Sequence, residues 1–397
     1  MKRLWVVWML GAVTLAANER LQGPTELLFS DKTKAYAGYT FFGVGGRTYL
    51  LDLEGRVVHT WPLGNNPKLL DNGHILDATR DDPSGVQSWR EVDWDGRTVW
   101  EYAERRPGYT PHHDWNRMFN KQLNAYTFLY IANKAITNEQ ALAAGADPRK
   151  GPYQDGQMDA LVEVNLQGQV VWERWFFDHV VQDLDASKPN YVGAGKTVAD
   201  VPGRININMP GKPLRRDWLH CNAVDYNPVN GHIVVNSVQG ELYVIDHDGT
   251  FVGGNPQASV DKAKSAAGDF LYRFGDPARY GQGDPPRILE NWDNATMGHR
   301  QMGGSHDAHW IEPGLPGAGH LMVFNNGQYM FQATPQSSVL EINPYLDGSG
   351  SPSARYVNPP QAGYHQEQYH RDTHNRPRLV SNQIVWSYRS VNSRNFF

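Results

Sequence analysis

Cysteine is almost absent from this chain: Cys221 is the only one in 397 residues. No disulfide can form within the chain, so stability must come from packing even in an oxidising compartment. An excess of charge of one sign is missing too. A formal net charge of −5 sets up no broad basic field, which argues against nucleic acid or an acidic membrane surface as the main partner and leaves room only for a local basic pocket. There is no G-x-x-x-x-G-K-[ST] loop, no H-E-x-x-H and no G-x-S-x-G. Phosphate-loop, zinc-protease and serine-hydrolase chemistry therefore lack motif support.

Glycine, proline, tryptophan and tyrosine are plentiful, which points to many turns between aromatic-rich strands and thus to an all-β protein. The N-terminus reads Met1-Lys2-Arg3, then an apolar stretch over 4–17, then Asn18-Glu19-Arg20. A short apolar segment behind a basic start, ending in Thr14, Ala16 and Ala17, predicts a cleavable secretory signal over 1–17. An uncleaved anchor, which Trp5 and Trp8 would suit, is the alternative. Export implies a periplasmic or secreted protein.

One phrase recurs along the chain: alternating apolar residues, an acidic or amide residue, a glycine turn, and a second strand often ending in tryptophan. Its copies are YLLDLEGRVVHTW at 49–61, WREVDWDGRTVW at 89–100, LVEVNLQGQVVW at 161–172 and LYVIDHDGTFV at 242–252, with a weaker one at 339–348. Period-two alternation around such a turn is a hairpin signal. A second phrase, an apolar strand often preceded by histidine, lies between the copies at 69–76, 112–118, 219–235 and 305–327. Two phrases make a four-stranded blade, so residues 18–397 are expected to form a single β-propeller domain. A β-sandwich is the competing arrangement. Segments 134–160, 178–215 and 253–300 lack strand periodicity and are expected as long excursions, the first with a short helix capped by Asn138 and ended by Gly145.

His113, His220 and His306 each stand at the start of the inner-strand phrase of a different blade. Equivalent positions in successive blades converge, so these three are expected to share one cavity. Asp114, Asn222 and Asp307 are placed to orient imidazoles by hydrogen bonding. His112 and His309 are expected on the opposite side, and His74, His232 and His320, after turns, as structural residues. Cys221 reads as a buried small hydrophobe. His365, His370 and His374 match no strong zinc spacing, so no metal is assigned there. Arg389 is a candidate for gripping an oxyanion.

The phrases YLLDLEGRVVHTW, HHDW at 112–115, DWLHCNAVDYNP at 217–228 and SHDAHW…FNNG at 305–327 together resemble the bacterial arylsulfotransferase family over about residues 35–397. The resemblance implies about six blades and nucleotide-independent transfer of a sulfuryl group from a phenolic sulfate to a phenol by ping-pong chemistry on histidine. By motif it makes His220 and His306 the residues that hold the sulfate and serve the phenol oxygen and adds His113 to that pocket; Asn222, beside His220, and Arg389, as a substitute for the family's sulfate-clamping arginine, are the candidate substrate-binding residues. It implies no cofactor, no nucleic-acid partner and no membrane partner once the signal is cleaved.

Two departures stand out. The family's arginine soon after FNNG is replaced by Gln328-Tyr329-Met330-Phe331, and no phrase for the family's late-blade sulfated histidine precedes Phe397. The last blade is accordingly expected to be incomplete. A small-molecule-binding propeller without catalysis and a histidine-ligated metalloenzyme remain the other two classes.

Overall fold

A computed structural model describes residues 30–344 apart from 34, 36, 80–84, 154–155, 211–213, 286–297 and 328–336, together with the backbone of 369–371, 377–379 and 384–390. The chain divides into two compact units, Met1–Tyr102 and Ala103–Phe397. The first carries a three-stranded antiparallel sheet of β1 (Thr40–Val44), β2 (Arg47–Leu51) and β3 (Val57–Trp61), and a four-stranded sheet of β4 (Lys68–Leu69), β5 (Ile75–Thr79), β6 (Ser88–Val92) and β7 (Thr98–Ala103). Its small core joins Leu50, Trp61, Ile75 and Val92.

The second unit holds three four-stranded sheets. The first contains β8 (Tyr109–Asn120), β9 (Ala125–Ile136), β10 (Gly156–Asn165) and β11 (Val170–Trp175). After the two-residue parallel pair β12 (Val180–Val181) and β13 (Ile205–Asn206) comes the sheet of β14 (Cys221–Asn227), β15 (His232–Ser237), β16 (Glu241–Asp246) and β17 (Phe270–Phe274). The third is β18 (Ser305–Trp310), β19 (Leu321–Asn325) and β20 (Ser337–Ile342), joined by β23 (Ile384–Ser390) after the short pair β21 (Tyr369–Arg371) and β22 (Pro377–Leu379). The protein is thus all-β, built of propeller blades, with five of them among the described residues where about six were expected. Each of the five hairpin phrases supplies an inner strand of one sheet, and the first three supply an edge strand beside it; the sixth blade came with the family resemblance and has no phrase of its own. The last described sheet has its full four strands, and the three-stranded one is the first.

The acidic or amide residue of the repeated phrase proves to be the anchor of its turn. Asp52 Oδ1 accepts the backbone N–H of Glu54 and Arg56 (3.0 and 2.9 Å), Asp93 Oδ1 accepts that of Arg97 (2.8 Å), and Asn165 Oδ1 accepts those of Gln167 and Gln169 (3.1 and 2.9 Å). A short polar side chain thereby pins the loop from inside. Gly168 completes its turn at φ 78°, a left-handed conformation that costs a side-chain-bearing residue energy.

In the fourth copy the expected second strand does not follow the turn. The chain runs into a helix, α2 (Pro256–Lys264), capped by Asn255, and only β17 closes the sheet. The excursion expected over 253–300 therefore contains a strand whose apolar run FLYRF is too short to show a clear period. The helix expected near 138 is present as α1 (Asn138–Ala143), but Thr137 is its N-cap, because Thr137 and Gln140 form a reciprocal capping box that Asn138 cannot make from inside the first turn.

The central sheet explains why some strands read as unbroken apolar runs. Ile233 and Val235 of β15 face one hydrophobic cluster with Leu129, Ile131, Leu161 and Trp172 of the preceding blade, whereas Val234 faces a second cluster with Trp310, Leu321 and Val323 of the following one. All three β15 residues are fully buried. A strand sandwiched between blades needs apolar side chains on both faces, each worth about 1.5–3 kcal/mol on burial. Among the described residues no helix is long and apolar enough to cross a membrane.

Candidate functional site

The first strands of the three sheets in the second unit lie side by side, with β14 against both β8 and β18. Carboxylates tie them together: Asp114 Oδ2 accepts the Val224 N–H (2.9 Å), and Asp225 accepts the Trp310 N–H (2.8 Å) and the Asn116 side-chain amide. Each first strand is disturbed at its histidine. On β8, His112, His113 and Asp114 stand opposite Ile131 alone; on β14 the register slips between Cys221 and Ala223; on β18 it slips between His306 and His309. Bulges of this kind re-aim side chains.

The backbone shows the strain directly. Five non-glycine residues among those described have positive φ, and four of them sit here: His113 (55°), Asp217 (54°), His220 (52°) and Asp307 (52°). Such conformations cost on the order of 1–3 kcal/mol each and persist where the surrounding structure imposes them, which is a pattern of functional sites.

These distortions bring the predicted histidines together. The His113 and His220 rings lie with centroids 4.5 Å apart. His306 is near enough that its charge depresses His113 and that of His220 depresses His306. Burial, reinforced by the charges of His112 and His220, pushes the His113 imidazole down to about 4. Burial also lowers His306, against the opposite pull of the Gly304 carbonyl 2.9 Å from its Nδ1. That contact makes Nδ1 the protonated nitrogen and Nε2 the acceptor.

Asp217, three residues ahead of His220, hydrogen-bonds its Nδ1 and accepts a second hydrogen bond from Asn133 Nδ2 (3.1 Å). Burial alone would raise the Asp217 carboxyl; these hydrogen bonds and the nearby histidine charges outweigh it and hold the group well below the usual carboxylate range. An Nδ1–H given to a carboxylate fixes the tautomer in which Nε2 of His220 carries the lone pair.

Other residues have different roles from those expected. Asn222 is buried, donates to the Ser305 carbonyl (2.9 Å) and accepts from Asn236 Nδ2 (2.5 Å), so its amide straps β14 to β18. Asp114 is a strap as well, and Asp307 is largely exposed beside His309. His112, expected on the far side, joins the cluster because the bulge removes the simple alternation of β8: its ring lies 5.0 Å from His113 and 6.4 Å from His220. Asn325 and Asn326 of the FNNG phrase hold the segment before His306, Asn325 Oδ1 accepting the Gly303 N–H (3.0 Å) and Asn326 Nδ2 donating to the Gly304 carbonyl (2.8 Å). Cys221 is fully buried, and burial with the neighbouring Asp159 pushes its thiol pKa up, away from nucleophilic use. His74 and His320 pair with Glu91 and Glu341 inside their own sheets. Residue 389 pairs in register with Ser338, while its side chain, the Gln328–Phe331 stretch (328–331), residues 1–17 and the side chains of His365, His370 and His374 lie outside the described residues.

Sequence reasoning missed Asp217 and Asp159. Asp217 left a trace, a D-x-x-H spacing inside DWLH. Asp159, on β10, left none, because only the pairing of β8 and β10 on either side of β9 brings it beside His112.

No curated protein matches the chain. Among solved structures, a Bacteroides caccae protein of unknown function aligns with 11% identity over 81% of this chain and 73% of its own (TM-score 0.34). The Myceliophteria thermophila Cps50 (Swd1) β-propeller domain aligns with 13% identity over 80% and 71% (TM-score 0.30), and Saccharomyces cerevisiae Sqt1 with 7% identity over 77% and 68% (TM-score 0.30). These likenesses are too distant to bear on chemistry. The family model described as Arylsulfotransferase (ASST) matches residues 40–345, a span that contains every blade strand but β23 and every histidine of the cluster. The chain belongs to the arylsulfotransferase (ASST) family.

Proposed function

We propose that the protein transfers a sulfuryl group from a phenolic sulfate ester to a phenol, using the histidines of the second unit in a ping-pong sequence. The convergence of His113, His220 and His306 at three left-handed bulges of neighbouring blades carries this reading. Strain repeated at equivalent places is hard to explain by packing alone.

The nucleophile's part falls to His220, which the family motif makes a sulfate-holding residue, because Asp217 fixes its Nδ1. In the first half-reaction His220 Nε2 attacks sulfur, the bond from sulfur to the aryl oxygen breaks, and the departing phenolate takes a proton from Nε2 of protonated His306, which the acceptor phenol restores in the second. In the second, the acceptor phenol gives its proton to a neighbouring imidazole while its oxygen attacks the sulfohistidine sulfur and the N–S bond breaks. Asp217 supports His220 as nucleophile by fixing its tautomer, and His306, with Nδ1 turned to Gly304, offers Nε2 to the phenol oxygen. The secretory pattern of residues 1–17 favours a periplasmic or secreted setting for the reaction.

The test is release of 4-nitrophenol from its sulfate ester with a phenol acceptor present. Turnover should be lost on His220→Ala and His306→Ala, and a quench at alkaline pH should trap one SO3 on the peptide containing His220. Absence of turnover by the folded wild-type protein across several aryl sulfates would replace this reading with a binding propeller.

A further inference from the structure

Behind the histidine rings lies a second group of polar side chains, of which sulfuryl transfer as proposed uses only Asp217. His112 Nε2 is 3.0 Å from Asp159 Oδ1, and one ligating atom each of His112, Asp159 and Asp217 lie within 4.8 Å of one another. Asp159 is fully buried. Its Oδ1 accepts the Cys221 N–H at 3.2 Å, and its Oδ2 has no hydrogen-bond partner among the described residues. Both ring nitrogens of His112 are shielded from solvent and likewise lack a hydrogen bond, since the 3.0 Å approach to Asp159 is poorly aligned for one.

A buried carboxylate with an unmet oxygen, beside an imidazole with unmet nitrogens and a second carboxylate, is costly as it stands. A cation removes that cost. Two donors 2.1 Å from a metal and at right angles to each other are about 3.0 Å apart, which is the His112–Asp159 separation; the third donor, on Asp217, lies within 4.8 Å of both and closes on the ion by a side-chain shift of up to roughly 2 Å. One imidazole nitrogen with two carboxylates suits first-row divalent ions such as zinc, manganese or cobalt better than a thiophilic ion.

We propose that His112, Asp159 and Asp217 form the protein half of a divalent transition-metal site, with water or substrate oxygen completing the coordination. Asp217 then has two tasks, facing the metal on one side and holding His220 Nδ1 on the other, so that the ion becomes an outer support of the histidine cluster. The proposal does not rest on sulfuryl transfer, because it is read from binding without turnover.

The experiment uses Co²⁺ as the probe on the full chain after chelator treatment. Elemental analysis and the visible absorption of Co²⁺ should show one ion per chain, displaceable by Zn²⁺. The isosteric Asp159→Asn and the polar His112→Gln should each weaken binding at least about tenfold with the circular dichroism spectrum unchanged. Crystals of the wild-type chain soaked in CoCl2 and measured at the cobalt edge locate the ion independently of any variant, and the anomalous peak is expected between His112 Nε2, Asp159 and Asp217. A wild-type chain that binds no Co²⁺, a peak only elsewhere, or both folded variants binding as the wild type would overturn the proposal.

Discussion

His247 is buried between two carboxylates, with Nε2 2.8 Å from Glu163 Oε2 and Nδ1 2.9 Å from Asp248 Oδ1. Burial on its own would push the imidazole down. The Glu163 charge and the hydrogen bonds to Asp248 and Glu163 override it and hold the group up at about 9. A folded value above the unfolded value of roughly 6.5 means that the native state binds the proton more tightly, so the stabilisation is complete below pH ~6.5 and is lost as pH rises through 9. At about 1.4 kcal/mol per unit, the alkaline loss is on the order of 3 kcal/mol.

His247→Gln removes the cation while Glu163 stays buried, its other partners being Asn120 Nδ2 and Thr127 Oγ1 at 2.9 and 2.6 Å. Stability at pH 7 should fall by about 3–5 kcal/mol, and the double variant with Glu163→Gln should recover much of it. Urea unfolding followed by tryptophan fluorescence at pH 6, 7.5 and 9.5 measures both effects. A wild-type stability that is flat across this range, or a His247→Gln variant that keeps the same alkaline loss, would refute the reasoning.

Two further outcomes follow from particular contacts. Asp217→Asn should lower kcat for 4-nitrophenyl sulfate on the order of 10²-fold or more with little change in KM, because the neutral amide no longer enforces the His220 tautomer; steady-state kinetics on the folded variant decide it. Gly240→Ala should destabilise the second unit by at least about 2 kcal/mol, because φ is 88° and the new Cβ would sit 2.2 Å from the Met302 carbonyl oxygen. A thermal midpoint within a degree of wild type would show that this turn relaxes freely.

The sequence by itself determined the fold class and the histidines worth watching. Hairpin phrases carry their own turn chemistry, as Asp52, Asp93 and Asn165 show, so local composition is enough to reveal blades. Equivalent placement of His113, His220 and His306 in successive phrases was likewise legible, because a repeat maps sequence position onto spatial position. β17 escaped notice, since its run is short and lies behind a helix.

What only the tertiary structure decided is the chemistry around those rings. Strict alternation along β8 sends His112 away from His113; the bulge cancels that rule and places both in one cluster. Asp159 and Asp217 come from different parts of the unit: strand pairing across β9 sets Asp159 beside His112, and the packing of the next sheet brings Asp217 up to Asn133 of β9, neither of which any period in the sequence encodes. Asn222, adjacent in sequence and chemically apt, was drawn instead into joining β14 to β18, because a buried amide must satisfy its hydrogen bonds with the nearest backbone.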